Sequence, residues 1–187
     1  MKRLMNAVTA IVLIAVTAAC ASSEVEPTAA DLLARPLKVP QIPPGGECPV
    51  TKIMTHPTSL AGDLLGDGPA RPAIESTLPY IGDDPGTLFA GSGWGGEKVL
   101  WLTDPGLKMP LVIKGKQLDG DGPVKFDGTD GQPLLDEIVI APDPSAKDWR
   151  DRPSYVRLKQ PGCYAFQTDT ADATHVIVFR ATGPVVS

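Results

Sequence analysis

Gly162-Cys163-Tyr164-Ala165-Phe166-Gln167-Thr168 is followed by the polar turn Asp169-Thr170-Ala171-Asp172 and then by His175-Val176-Ile177-Val178-Phe179-Arg180. Two apolar runs of strand length around a short polar segment predict an antiparallel hairpin. Side chains alternate along a strand, so Tyr164 and Phe166 share one pleat face while Cys163 and Ala165 share the other. The returning strand is apolar on both faces. It therefore avoids an exposed edge, or the Pro-rich N-terminal segment covers its second face.

Outward from the hairpin the same punctuation repeats, with short apolar runs between Gly, Pro and Asp clusters. Strands are predicted over 50–54, 98–103, 111–114, 124–126, 134–140 and 154–158, besides 163–168 and 175–180 in the hairpin. About eight short strands predict an all-β sandwich. The one helical possibility within them, 60–65, is short and stops at Gly66, too little for a parallel crossover, so antiparallel connections are expected. With 20 Pro and 19 Gly in 187 residues, an all-helical chain is excluded, and the length fits about one domain. The formal charge is −5, with 17 Lys and Arg against 22 Asp and Glu, a balance that repels nucleic acid.

The N-terminus places Lys2 and Arg3 before residues 7–19, a run without charge. This is the pattern of an export signal, and it is shorter than the roughly 20 apolar residues of a membrane-spanning helix. Thr17-Ala18-Ala19-Cys20 resembles the bacterial lipobox, in which the Cys becomes the lipidated first residue, carrying acyl chains such as palmitate. The division expected is a signal peptide over 1–19, a disordered Pro-rich tether over 20–47 and a sandwich over 48–187. Within the tether, residues 28–35 can form two helical turns behind a Thr28 cap. With Cys20 acylated, Cys48 and Cys163 remain, a pair expected to be joined in a compartment where disulfides persist. The rival reading keeps both thiols reduced as metal ligands, with only His56 and His175 among imidazoles to complete a site.

Pro161-Gly162-Cys163-Tyr164, leading through a polar turn into a Val-Ile-Val-Phe strand, resembles the last two strands of immunoglobulin-like bacterial modules. Cys48-Pro49-Val50-Thr51, Trp94 ahead of Lys98-Val99-Leu100-Trp101, Gly115 with Leu118-Asp119-Gly120, and Pro153-Ser154 add a similarity to a family of small bacterial lipoproteins. That resemblance implies an exported, membrane-anchored immunoglobulin-like β-sandwich of unassigned role, and it supplies no catalytic residue.

Candidate chemistry is sparse. Gly91-Ser92-Gly93-Trp94-Gly95-Gly96 runs into a strand pattern rather than a helix N-terminus, so it reads as a turn presenting Trp94 and not as a phosphate loop. Ser92 lacks the flanks of a nucleophile elbow. Asp119, Asp121, Asp127 and Asp130 crowd around one short strand and form a weak calcium candidate. Pro123 falls at the fifth position of an EF-hand count begun at Asp119, however, and Asp-Gly turns explain the same residues. Asp148-Trp149-Arg150-Asp151-Arg152 mixes charge and aromatic side chains. With Trp94, the residues Trp149, Arg150 and Arg152 form a candidate binding surface, against a bland alternative of local ion pairs. These readings converge on a cell-envelope lipoprotein that is a binding or structural module, not an enzyme, without cofactor or nucleic acid. Its expected partners are the membrane, through the lipid on Cys20, and an envelope protein or glycan. The alternatives are an envelope hydrolase acting on glycan or ester and a calcium-stabilised adhesin.

Overall fold

The computed structural model describes residues 26–43, 45–55, 60–129 and 131–187. A short helix, α1 (Ala29–Leu33), precedes β1 (Ile53–Met54), β2 (Leu64–Leu65), β3 (Ala70–Pro72), β4 (Thr77–Pro79), β5 (Gly95–Thr103) and β6 (Leu111–Gln117). There follow β7 (Lys125–Asp127), β8 (Leu134–Leu135), β9 (Glu137–Ile140), β10 (Arg150–Leu158), β11 (Gly162–Asp169) and β12 (Thr174–Thr182). Sheet I has the order β3-β5-β10-β7-β8 and sheet II the order β4-β12-β11-β6-β9, while β1 and β2 pair with each other. The fold is the all-β sandwich that the strand-and-turn pattern predicts, two five-stranded sheets in the immunoglobulin-like arrangement that the resemblance implies.

The deciding hairpin pairs as read, Tyr164 opposite Phe179 and Phe166 opposite Ile177. Tyr164, Phe166, Ile177 and Phe179 enter the core between the sheets, where Phe166 meets Trp101 of β5 edge-on at 4.9 Å. Trp101 is fully buried, and its indole N–H donates to Ser154 Oγ at 3.0 Å, so the ring adds apolar burial without an orphan donor. At the start of β11 the Tyr164 hydroxyl donates to the Gln160 carbonyl at 2.8 Å. A tyrosine turned back onto the backbone a few residues upstream is a recurrent corner of such sandwiches.

Cys163 and Ala165 point the other way, onto the outer face of sheet II. There Cys48 and Cys163 are joined, with Cα atoms 5.5 Å apart. The bridge does not run through the core from sheet to sheet; it fastens the entering chain to the outside of sheet II. Leu118 and Val178 complete this second cluster, and Val39, Ile42, Val50 and Val176 pack on it. The N-terminal segment thus covers the second face of β12, and β4 also pairs along that strand's edge.

Four expectations change. Twelve strands are present among the described residues rather than about eight, because β2, β3 and β4 are two- and three-residue pieces with no alternating pattern to reveal them. Leu64 and Leu65 belong to β2 and are not helical. The run 134–140 divides at Asp136, β8 pairing with β7 in sheet I and β9 with β6 in sheet II, so the chain changes sheets within one apolar stretch. One pairing, β4 with β12, is parallel.

The segment read as a tether is docked where it is described. Thr28 caps α1 as expected: its hydroxyl accepts from the Asp31 N–H, and the Asp31 carboxylate accepts from the Thr28 N–H at 2.8 Å. The Thr28 hydroxyl, which also donates to that carboxylate at 2.7 Å, and then the Thr28 N–H hold the Asp31 carboxyl below the usual carboxylate range. A five-residue helix does not stand alone in water. Leu32 is fully buried, and Lys114 of β6 donates to the carbonyls of Leu32 and Arg35, which closes the helix C-terminus. Further along, Gln167 accepts from the Lys38 N–H at 2.6 Å and donates to the Pro36 carbonyl at 3.2 Å. Backbone polar groups of the arm are thus satisfied by side chains of sheet II, and the arm is ordered through Ile42. The leader, Cys20, His56 and Asp130 lie outside the described residues.

Candidate functional site

The outer face of sheet I carries the site. Arg157 of β10 faces outward by strand parity yet is fully buried. Its guanidinium lies 4.2 Å over the Phe89 ring and donates to the carbonyls of Asp127 and Gly128 at 2.9 Å each. On its other side it reaches Ser92 Oγ at 2.8 Å and the carbonyls of Trp94 and Gly95 at 3.3 Å. Carbonyl dipoles and one aromatic face take the place of a carboxylate partner, and desolvation holds the guanidinium below its ordinary range. One side chain thereby joins the Gly-rich turn to the chain leaving β7.

Space for Arg157 comes from the glycine opposite it. Gly96 pairs with Arg157, and a Cβ at Gly96 would stand 2.7 Å from the Phe89 ring and 2.9 Å from Arg157 Cδ. A glycine inside a strand often marks such a close approach. Asp127 takes a left-handed backbone, φ 53°, unusual for a residue with a side chain, and Gly128 follows at φ 73°. The Asp127 carboxylate is occupied: Oδ2 accepts from Arg152 at 2.8 Å and Oδ1 from the Tyr155 N–H at 3.3 Å.

Against this braced corner lies a cavity of about 460 Å³, bounded by Lys98 and Tyr155 on the sheet and by Thr129, Gln132, Pro133 and Leu135 on the far wall. The volume is within the range of small-molecule sites, roughly 300–1,000 Å³. Lys98 and Tyr155 are cross-strand partners. Tyr155 is held by an edge-on contact with Phe89 at 5.4 Å. Sequence reading missed this cavity, although the Asp127-Gly128 turn lines it and Gly96, inside a strand, makes room for the Arg157 that braces that turn.

The residues expected to form a binding surface do not converge. Trp94 immediately precedes β5, and Arg150, next to Trp149, pairs with the last residue of that strand, Thr103, nine positions on, roughly 30 Å at about 3.3 Å per residue. Trp94 is half-buried, with Lys159 Nζ 5.1 Å from its ring, so it packs back on the sandwich. Trp149 takes the guanidinium of Arg71 at 5.0 Å, neither Arg150 nor Arg152. Arg150 reaches the Ala141 carbonyl and Asp143, and Arg152 reaches Asp127. Arg150 and Arg152 lie within β10, which begins four residues earlier than read. Their partners are local.

The acidic loops are turns with assigned partners. Gln117 accepts from the Gly122 N–H and donates to Asp119, while the other Asp119 oxygen accepts from the Cys163 N–H at 2.9 Å. A Cβ at Gly122 would collide with the Gln117 amide at 2.3 Å, which accounts for the glycine. Asp121 is exposed. Among the described residues no three His, Cys, Asp or Glu side chains cluster as metal ligands. No helix there is long and apolar enough to cross a membrane.

No protein-family profile matches the chain, and no curated protein matches it significantly. Among solved structures it is similar to the CooA pilin subunit from enterotoxigenic Escherichia coli, with 11% identity over 64% of this chain and 100% of that one, at a TM-score of 0.35.

Proposed function

We propose that the chain is an exported cell-envelope lipoprotein, acylated on Cys20, whose sandwich serves as a binding or structural module rather than an enzyme. The observation that carries this reading is the Cys48–Cys163 bridge, because such bonds persist outside the reducing cytosol and are rare within it. The basic, then apolar, opening that ends Thr17-Ala18-Ala19-Cys20 supports the anchor. The docked arm supports a short reach: with residues from Thr28 onward held on sheet II, only the few residues after Cys20 are left to span from lipid to domain. Buried side chains fill the space between the sheets, as a module that works through its surface requires.

Metabolic labelling with radioactive palmitate tests the anchor. The chain is expected to take up label and sediment with membranes, and Cys20→Ala is expected to do neither. An unlabelled wild-type chain in the soluble cytosolic fraction contradicts the reading.

A further inference from the structure

We infer that the cavity between Tyr155 and Leu135 on the outer face of sheet I binds a small carboxylic acid with an apolar body. This rests on the binding half of the function proposed above and not on the lipid anchor. The walls at Pro133, Leu135 and the Tyr155 ring are apolar, so part of the ligand must be apolar to gain from entering. Of the two charged side chains in the lining, Lys98 and Asp127, the one without a partner is the cation. Among the described residues the Lys98 ammonium has no carboxylate at ion-pairing distance, and the Tyr155 hydroxyl and Thr129 hydroxyl make no hydrogen bond within the protein.

The carboxylate in the lining, Asp127, is committed to Arg152 and to the Tyr155 N–H. A neutral polyol can use the Thr129, Tyr155 and Gln132 oxygens as acceptors but leaves the Lys98 ammonium without a counter-charge. An anion that only accepts finds an ammonium and hydroxyls on the rim, and charge-assisted hydrogen bonds are the stronger kind. The wall is also set before any ligand arrives. Arg157 grips the carbonyls of Asp127 and Gly128, which fixes the turn leading to Thr129, and Phe89 fixes the Tyr155 ring. Prior ordering of a site reduces the entropy lost on binding.

The test is a titration of the full, disulfide-intact chain with phenylacetate, and in parallel with benzyl alcohol, followed by the amide resonances of Gly128, Thr129 and Tyr155. Saturable shifts with a Kd of about 1 mM or tighter are expected for the acid, with the alcohol at least about 10-fold weaker. Lys98→Gln, at an exposed position, should weaken the acid about 10-fold and leave the alcohol unchanged. Leu135→Asp, also exposed, should weaken both. Absence of a saturable shift, equal binding of acid and alcohol, or full affinity in Lys98→Gln overturns the inference. None of those outcomes alters palmitate labelling of Cys20, so the two readings fail separately.

Discussion

Lys114 Nζ donates to the main-chain carbonyl of Arg35 at 2.5 Å, so a side chain from the sandwich closes the last turn of the arm's helix. The same ammonium stands 3.5 Å from the fully buried Asp169 carboxylate, which also accepts from Gln167 and Thr174 and lies 3.9 Å from Arg35. Arg35 in turn donates to the carbonyls of Thr170 and Ala171. Arm and hairpin turn are therefore tied through one small polar network.

Lys114→Met leaves Asp169 buried with only the more distant Arg35 as a cation and uncaps α1. Removing one partner of a buried pair costs on the order of 3–5 kcal/mol, and we expect about 2–4 here because Arg35, Gln167 and Thr174 remain. Urea unfolding measures the loss. Amide hydrogen exchange should show faster exchange at residues 32–38 while β5 and β10 stay protected. A loss under about 0.5 kcal/mol would mean that the arm is held by apolar contact alone.

Arg157→Lys tests whether the buried guanidinium is a brace. A lysine keeps the charge, but one ammonium cannot serve the carbonyls on both sides of the site at once. Expected is a loss of about 2–4 kcal/mol in urea unfolding, with altered near-ultraviolet circular dichroism from the neighbouring aromatic side chains. Unchanged stability would show that those carbonyls find other donors.

Much of the fold is legible in the residues, and the reasons are local. Alternation in 163–168 places Tyr164 and Phe166 inward and Cys163 outward, and Thr28 with Asp31 announces the helix cap. The expected pairing of Cys48 with Cys163 is present. What is illegible depends on distant partners. Two or three residues such as Leu64–Leu65 or Thr77–Pro79 become strands only through their neighbours, and the parallel pairing of β4 with β12 has no local signal. Residues 28–42, broken by Pro36 and Pro40 and without a sustained apolar period, read as part of a spacer, yet Lys114 and Gln167, about 80 to 130 positions later, hold them. Burial of Arg157 contradicts its type, and only the glycine across the strand hints at it. The expected surface of Trp94, Trp149, Arg150 and Arg152 fails because nearness in sequence composition does not set nearness along a nine-residue strand.

Alkaline pH offers a separate check. The Tyr80 hydroxyl donates to the Pro184 carbonyl at 2.6 Å, and burial pushes this phenol up to about 12. Burial also pushes Tyr164 up, with Tyr80 and Asp119 adding to the effect. In the unfolded chain a tyrosine loses its proton near about pH 10. The folded protein therefore holds protons that the unfolded one releases: their contribution to stability is whole below about pH 10 and is lost as pH rises through about 12. Urea midpoints should fall steadily above about pH 10, and more gently in Tyr80→Phe. A flat profile through that window contradicts the burial of these phenols.

Peptide mapping by mass spectrometry, under non-reducing conditions and with free thiols alkylated beforehand, tests the central claim directly. In protein taken from its native envelope the expected result is one linked peptide pair containing Cys48 and Cys163, together with an N-terminal peptide beginning at acylated Cys20. Reducing that bond should cost about 4–5 kcal/mol by loop-closure entropy over its 115-residue span. An unprocessed chain from the cytosol, with Cys20, Cys48 and Cys163 all alkylated, would contradict both export and the bridge.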